Sequence, residues 1–343
     1  MMQSEFSTTG YASAPGKLML AGEYSVLDGG RALAVALDGE LQVRCDAFHE
    51  TGAAGSTTTI LELHSNLWSE SKTIAVDHED EISSEDPYID AAITALSAWA
   101  SKPAKVVFQV DANLDPTHGV GSSSALRLAV LAAAKHIAAG SLINLAELAD
   151  SALELQRRGQ PAASGYDIAV QSRGGLIEFR QGATKSLSLR SEDHLDKLAG
   201  WVTILVGGIG APTGSTMKIF LDWLKAESSQ SELMQLSETM VDAWQEFLTA
   251  PENTGLPALI KAVGDHRAFM AESPVFPKRV AAELENISGL DMTWTWKTTG
   301  AGGEDAVLLI GADAALVDAR QALARIGWHP SPFKFTQQGL TTW

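Results

Sequence analysis

The chain has 343 residues, with 25 Lys and Arg against 42 Asp and Glu, a formal net charge of −17. Hydrophobic residues make up 45% and charged residues 20%, a globular balance long enough for about two domains. So acidic a chain argues against nucleic acid or an anionic membrane surface as partner, since both demand clustered Lys and Arg; a single cysteine, Cys45, excludes an intrachain disulfide.

In chain order, residues 40–48 alternate loosely and predict a strand. A Gly/Ser/Thr stretch at 51–59 separates it from an expected partner strand at 60–64. The acidic run 77–86 reads as a solvated loop. Residues 87–100 predict a helix with Ile89, Ile93, Leu96 and Trp99 near one face. A strand at 105–111 follows, then a Gly/Ser turn, a helix from Ser124 to Ala139 and another over 145–158. Residues 175–180 and 186–190 predict strands around a turn at 181–184.

The polar stretch 192–199 precedes a new strand at Trp201, and the domain boundary is placed there, giving domains 1–195 and 196–343. Beyond it, Leu233, Leu236, Met240, Trp244 and Phe247 repeat at helical spacing, as a buried helix face does. Two further helices are expected around Leu259 to Met270 and Val280 to Ile287. Strands at 294–296 and 306–310 flank a glycine-rich turn, and a helix over 313–326 follows. The fold class is α+β, richer in strands in the first half and in helices in the second. No basic segment leads into an apolar run at the start, and the longest apolar stretch, 128–139, is interrupted by Lys135. A cytoplasmic protein, with no nucleic-acid or membrane partner, is therefore expected.

Three glycine-rich segments carry the chemistry. In the first, Pro15-Gly16 predicts a turn before an apolar strand, aiming Lys17 into whatever cleft that strand borders; a solvated lysine is the plainer alternative. The second, Gly119-Val120-Gly121-Ser122-Ser123-Ser124, lies between a strand and an Ala-rich helix. Its glycines let backbone N–H groups approach an anion, its hydroxyls add donors and a possible Mg²⁺ ligand, and the helix points its positive end there. A glycine turn with a Ser cap is the other reading. No Gly-Lys-Ser/Thr ends it, so it is not a Walker A loop. The third runs from Lys297 through Gly300, Ala301, Gly302 and Gly303 to Glu304 and Asp305, either as a plain hairpin or as backbone packed on a ligand. A further loop, Ser164-Gly165-Tyr166-Asp167, is followed by Gly174-Gly175.

Together and in this order, the segments resemble the GHMP kinase superfamily over residues 14–310. Its phosphate loop, Pro-x-x-Gly-Leu-Gly-Ser-Ser-Ala, is matched from Pro116 to Ser124, with Val120 for Leu and Ser124 for Ala. Ala14-Pro15-Gly16-Lys17 with Ala21-Gly22-Glu23-Tyr24 looks like the mevalonate and phosphomevalonate kinase branch. The Ser164-Gly165-Tyr166-Asp167-Ile168-Ala169 run, the glycine pair and the segment from Lys297 to Asp305 are most similar to phosphomevalonate kinases. A Val-Gly-x-Thr-Gly-x-x-x-Ser-Thr segment of that family is similar to 206–216, with Ile209 for Thr and one extra residue. Glu304 stands where a glycine is usual and Ala306 where Cys is common. The Glu that binds Mg²⁺ in mevalonate kinases has no match at the family distance from Asp167; Glu154 is the nearest.

The resemblance implies a two-domain GHMP kinase fold, a ribosomal protein S5 domain 2-like domain followed by a ferredoxin-like one. It implies ATP and Mg²⁺ as cofactors, a small-molecule acceptor, and a monomer or homodimer. Lys17 and Asp167 would be catalytic. Pro116, Gly119, Val120, Gly121, Ser122, Ser123 and Ser124 would bind the nucleotide, with Ser122 or Ser123 on the metal. Ser164, Gly165, Ser215, Thr216, Lys218, Lys297, Gly300, Ala301, Gly302 and Gly303 would bind substrate or support the phosphate loop. The implied reaction converts 5-phosphomevalonate to 5-diphosphomevalonate. Mevalonate as acceptor, or a non-catalytic nucleotide-binding homologue, are the alternatives. Scattered histidines and the absence of a Gly-x-Ser-x-Gly elbow argue against a zinc enzyme or a serine hydrolase. With polyanionic substrates, a chain of charge −17 must build a locally basic cleft; Lys17, Lys218, Lys297, Arg157, Arg158 and Arg173 are its expected sources.

Overall fold

The computed structural model describes residues 5–50, 57–78, 84–140, 143–186, 192–207, 213–300, 302–304 and 306–343. β1 (Glu5–Ala21) pairs along its length with β2 (Ala32–Glu50). The turn expected at Pro15-Gly16 is instead a register shift inside β1. A proline that cannot donate to a ladder is tolerated at such a bulge, so the strand continues through Lys17.

Next come β3 (Thr58–Ser65), β4 (Lys72–Asp77), α1 (Pro87–Ala95) and β5 (Lys105–Ala112). β3 is not the neighbour of β2: β5 lies between them, parallel to β3 and antiparallel to β2. α2 (Ser122–Ala139), α3 (Leu145–Gly159) and α4 (Tyr166–Arg173) follow. α4 occupies a segment expected to be loop. Then β6 (Leu176–Arg180) pairs with β2, and β7 (Ala183–Ser186) pairs with β6. The strand expected at 186–190 lies almost wholly outside the described residues.

The polar stretch at the expected domain boundary is a helix, α5 (Glu192–Trp201), with Leu195 and Leu198 buried. β8 (Val202–Val206), α6 (Thr213–Glu227), α7 (Gln230–Thr249), α8 (Leu256–Ala271) and α9 (Lys278–Leu284) follow. β9 (Trp294–Thr298), β10 (Ala306–Gly311), α10 (Val317–Arg325), β11 (His329–Pro330) and β12 (Thr341–Thr342) complete the chain. The large sheet runs β12-β1-β2-β5-β3-β4 with β6 and β7 attached, and the second runs β11-β8-β10-β9. This is the expected α+β class.

β10 shows why 306–310 is one unbroken apolar run. Ala306, Leu308 and Ile310 join the main core, while Val307 and Leu309 pack with Trp294, Trp296 and Leu323 on the other face. That main core also takes in β1, β2, α2, Trp244 and Phe247, and Trp244 Nε1 donates to Leu20 O at 3.0 Å. The second half is thus anchored on β1 close behind Lys17. No described helix is long and apolar enough to cross a membrane.

Candidate active site

The second glycine segment enters α2 through two left-handed residues, Gly119 at φ 64° and Gly121 at φ 83°. Gly121 is the cap residue, and no side chain caps the helix. The first-turn N–H groups of this 18-residue helix therefore keep their donors for a ligand. The serine cap offered by the sequence is not formed: Ser124 turns its hydroxyl back to donate to Gly121 O at 3.0 Å.

Lys17 is built into this loop. Its backbone N–H donates to Val120 O at 2.8 Å, and its Nζ donates to Gly119 O at 2.8 Å. The ammonium also lies 5.5 Å from the centre of the Tyr166 ring. Gly121 is required on two counts: its φ, and the fact that a Cβ would sit 2.6 Å from Lys17 Cγ. Gln171 ties the same pieces from below, its Nε2 donating to Pro15 O and Gly121 O at 2.9 Å each.

Asp167 sits in the first turn of α4, which starts at left-handed Gly165. Its Oδ1 accepts the Ile168 N–H at 3.0 Å, and its Oδ2 accepts from Gln156 Nε2 at 2.9 Å. Gln156, on the last turn of α3, is 7% exposed, and its Oε1 has no partner. Arg127, on α2, is likewise buried, its Nη1 donating to Ser123 O at 3.2 Å. Burial lowers the Arg127 pKa, opposed by the charges of Asp167 and Asp90.

These groups border one cleft of about 180 Å³. It brings together Lys17, Pro116, Gly119, Gly121, Ser122, Ser123, Ser124, Ser164, Asp167 and Gly300 of the residues expected from sequence. Val120 lies buried beneath, and Gly165 sits against Leu153. α6 contributes Met217 to the wall; Ser215 and Lys218 beside it are exposed and Thr216 is buried. Residues 208–212, including Ile209 and Gly210, and also Ala301 and Asp305, lie outside the described residues.

Lys297 is not brought to the cleft. It is 3% exposed and forms a buried ion pair with Glu23. Its neighbour Thr299 accepts from Met19 N at 3.1 Å and donates to Met19 O at 2.9 Å, stitching the third segment to β1. Gly303 N–H donates to Val275 O at 3.1 Å, and Gly302 also faces Val275. Glu304 faces Arg279, 4.0 Å away.

The expected sources of positive charge are also redrawn. Arg157 donates to Ala163 O, Arg158 pairs with Asp90 and Thr94, and Arg173 is exposed; none lines the cleft. The described lining holds two cations, Lys17 and Arg127, against one carboxylate, Asp167. Arg127, Gln156 and Gln171 were not anticipated. Arg127 was legible as the residue one helical turn after Ser123; Gln156 and Gln171 carried no signal of their own.

Mg²⁺ is commonly held by one or two carboxylates plus substrate phosphates. Asp167 beside the Ser122 and Ser123 hydroxyls fits that donor set, although no group of three or more metal-binding side chains occurs among the described residues. Glu154 is exposed and lines a different cavity, so it does not complete the set.

Residues 87–175 match the family model of the GHMP kinases N terminal domain. That span holds the glycine loop, α2, Gln156 and Asp167. A phosphomevalonate kinase of Streptomyces sp. (strain CL190) is 26% identical over 95% of this chain and 97% of its own. A mevalonate kinase of Pyrococcus horikoshii is 25% identical over 96% of each chain. Among solved structures, a mevalonate kinase gives a TM-score of 0.72 at 15% identity, covering 96% of this chain and 99% of its own. The Streptococcus pneumoniae phosphomevalonate kinase in complex with phosphomevalonate and AMPPNP gives 0.68 at 15% identity, with the same coverage. Residues 87–175 therefore match a GHMP kinase N-terminal domain, and the fold of the chain as a whole is that of these solved mevalonate and phosphomevalonate kinases.

Proposed function

We propose that the chain is an ATP-dependent phosphotransferase of the mevalonate pathway that converts 5-phosphomevalonate to 5-diphosphomevalonate. The observation that carries this reading is the convergence of Lys17, the open first turn of α2 and Asp167 on one cleft. Phosphoryl transfer asks a protein mainly to position its partners and to neutralise charge.

The amides of the first turn of α2 would cradle the ATP phosphates, with Ser122 and Ser123 as further donors. Lys17, fixed by Gly119 O, would stabilise charge on the transferring phosphoryl group. Asp167, with Ser122 or Ser123, would hold Mg²⁺, which supplies charge neutralisation on the phosphate oxygens. A phosphate oxygen of the acceptor is already ionised near neutral pH, so Asp167 need not deprotonate it and instead orients Lys17 or the metal. Two cations against one carboxylate in the lining favour this charged acceptor. The boundary near residue 195, a cytoplasmic location and a monomer or homodimer complete the proposal.

Mevalonate is the second reading, supported by the relatives named mevalonate kinase. An ADP-release assay with each acceptor separates the two. Turnover on phosphomevalonate at least about tenfold above mevalonate in kcat/KM is expected, the range a buried charged contact supplies. The reverse preference would overturn the acceptor assignment, and no turnover on either would overturn the kinase.

A further inference from the structure

Arg127 adds to the charge of the cleft, but the kinase reading gives it no specific contact. It is 8% exposed, yet it borders the cleft. A guanidinium offers five N–H donors. Among the described residues, Arg127 makes one hydrogen bond, to Ser123 O, and no ion pair. The two nearby carboxylates are engaged elsewhere: Asp90 pairs with Arg158 at 3.6 Å, and Asp167 accepts from Gln156. A buried guanidinium without a matching anion is costly, and its remaining donors have the cleft as their open side.

The carbonyl that Arg127 grips belongs to Ser123, in the first turn of α2. Arg127 and the three serines of that turn line the same cleft. A tetrahedral anion resting on the helix end would therefore meet fixed amides from one direction and the guanidinium from another. A guanidinium suits this task because its paired donors match two oxygens of a phosphate.

We propose that Arg127 is a phosphate-binding residue of this cleft, holding a phosphoryl group of the bound nucleotide or of a phosphorylated acceptor through the donors that Ser123 does not use. The proposal rests on the kinase reading for the identity of that ligand, though not for its charge.

Calorimetric titration of the full chain with ATP and with phosphomevalonate tests it, with adenosine and mevalonate as controls lacking phosphate. Arg127→Met is expected to weaken at least one phosphorylated ligand about tenfold or more, as loss of a charge-assisted bond does, and its control less than about twofold. Weakened ATP assigns the contact to the nucleotide, and weakened phosphomevalonate to the acceptor. Arg127→Lys keeps the charge but cannot reach both Ser123 O and two phosphate oxygens, so it should recover only part of the loss. Wild-type affinity for both phosphorylated ligands in either variant would overturn the proposal. So would an equal loss for ligands with and without phosphate, which marks a purely structural role. Should wild type bind ATP but turn over no acceptor, the kinase reading fails while the Arg127 comparison still stands.

Discussion

Two glycine-rich segments meet β1 at nearly the same height, and they do opposite things. The loop before α2 uses its glycines to open: Gly119 and Gly121 are left-handed, no side chain caps the helix, and Lys17 lies across the loop facing the cleft. The loop after β9 uses its first residues to close. Lys297 turns inward to Glu23, Thr299 laces onto Met19, and Gly303 bonds Val275. Each segment involves a lysine, but one has a carbonyl and an aromatic face as partners and the other a buried carboxylate. Glycine content does not distinguish a binding loop from a packed one; what stands opposite each lysine does.

The sharpest way to break this contrast is to delete each lysine's charge. Lys297→Met leaves Glu23 buried and alone, which costs about 3–5 kcal/mol of stability. Chemical denaturation should show that loss; a change under about 1 kcal/mol would mean the pair is solvated and the third segment open. Lys17→Met should do the reverse. Turnover falls roughly a hundredfold or more, as does that of Asp167→Asn, while the melting temperature falls less than in Lys297→Met, because both side chains border the open cleft. Near-wild-type rates in both variants would remove them from the chemistry.

The sequence made half of this contrast legible. The Gly-x-Gly-Ser run before an Ala-rich helix announces an amide-lined helix end, because both the turn and the helix are local. The inward turn of Lys297 was not legible, since its partner Glu23 lies 274 residues away. The same reason hid Gln171, which joins Pro15 to Gly121 across the chain. Misplaced elements also have local causes. α4 is only eight residues long with a weak apolar face, and its opening Ser-Gly reads as a turn. The polar look of 192–199 masked two buried leucines, Leu195 and Leu198, at helical spacing.

A finer contrast sets Gly121 against Gly303. Both are left-handed, but a Cβ on Gly121 strikes Lys17 while a Cβ on Gly303 meets nothing within 4 Å. Alanine at either position carries roughly 1–2 kcal/mol of backbone strain. Only Gly121→Ala should also displace the ammonium, lowering kcat about tenfold or more. Equal kinetics in the two alanine variants would show that Lys17 does not depend on the loop.

Behind the closed segment, His266 is fully buried, its Nε2 unpartnered, and burial together with the nearby Lys297 charge lowers its pKa from 6.5 to about 3. The unfolded chain therefore binds a proton here that the fold refuses between about pH 6.5 and 3. This group costs nothing above pH 6.5, and its cost grows as pH falls through that window, by at most about 1.4 kcal/mol per unit. His266→Gln should flatten the slope of stability against pH between 4 and 6 by roughly that amount or less. An unchanged slope would place water or a proton partner at Nε2.

The smallest effect belongs to Glu304, whose charge fits worst with a loop beside phosphates. Its carboxylate faces Arg279 at 4.0 Å, and the Arg279 side chain is 52% exposed. A pair that long and that open is worth roughly 0.5 kcal/mol or less, and it points the charge toward α9 rather than the cleft. Glu304→Gly should therefore leave the melting temperature and the KM for ATP nearly unchanged, with KM moving less than about twofold. A gain of about tenfold in kcat/KM would mean that the carboxylate acts on the bound phosphates past Thr299 and Gly300, the residues by which the third segment borders the cleft.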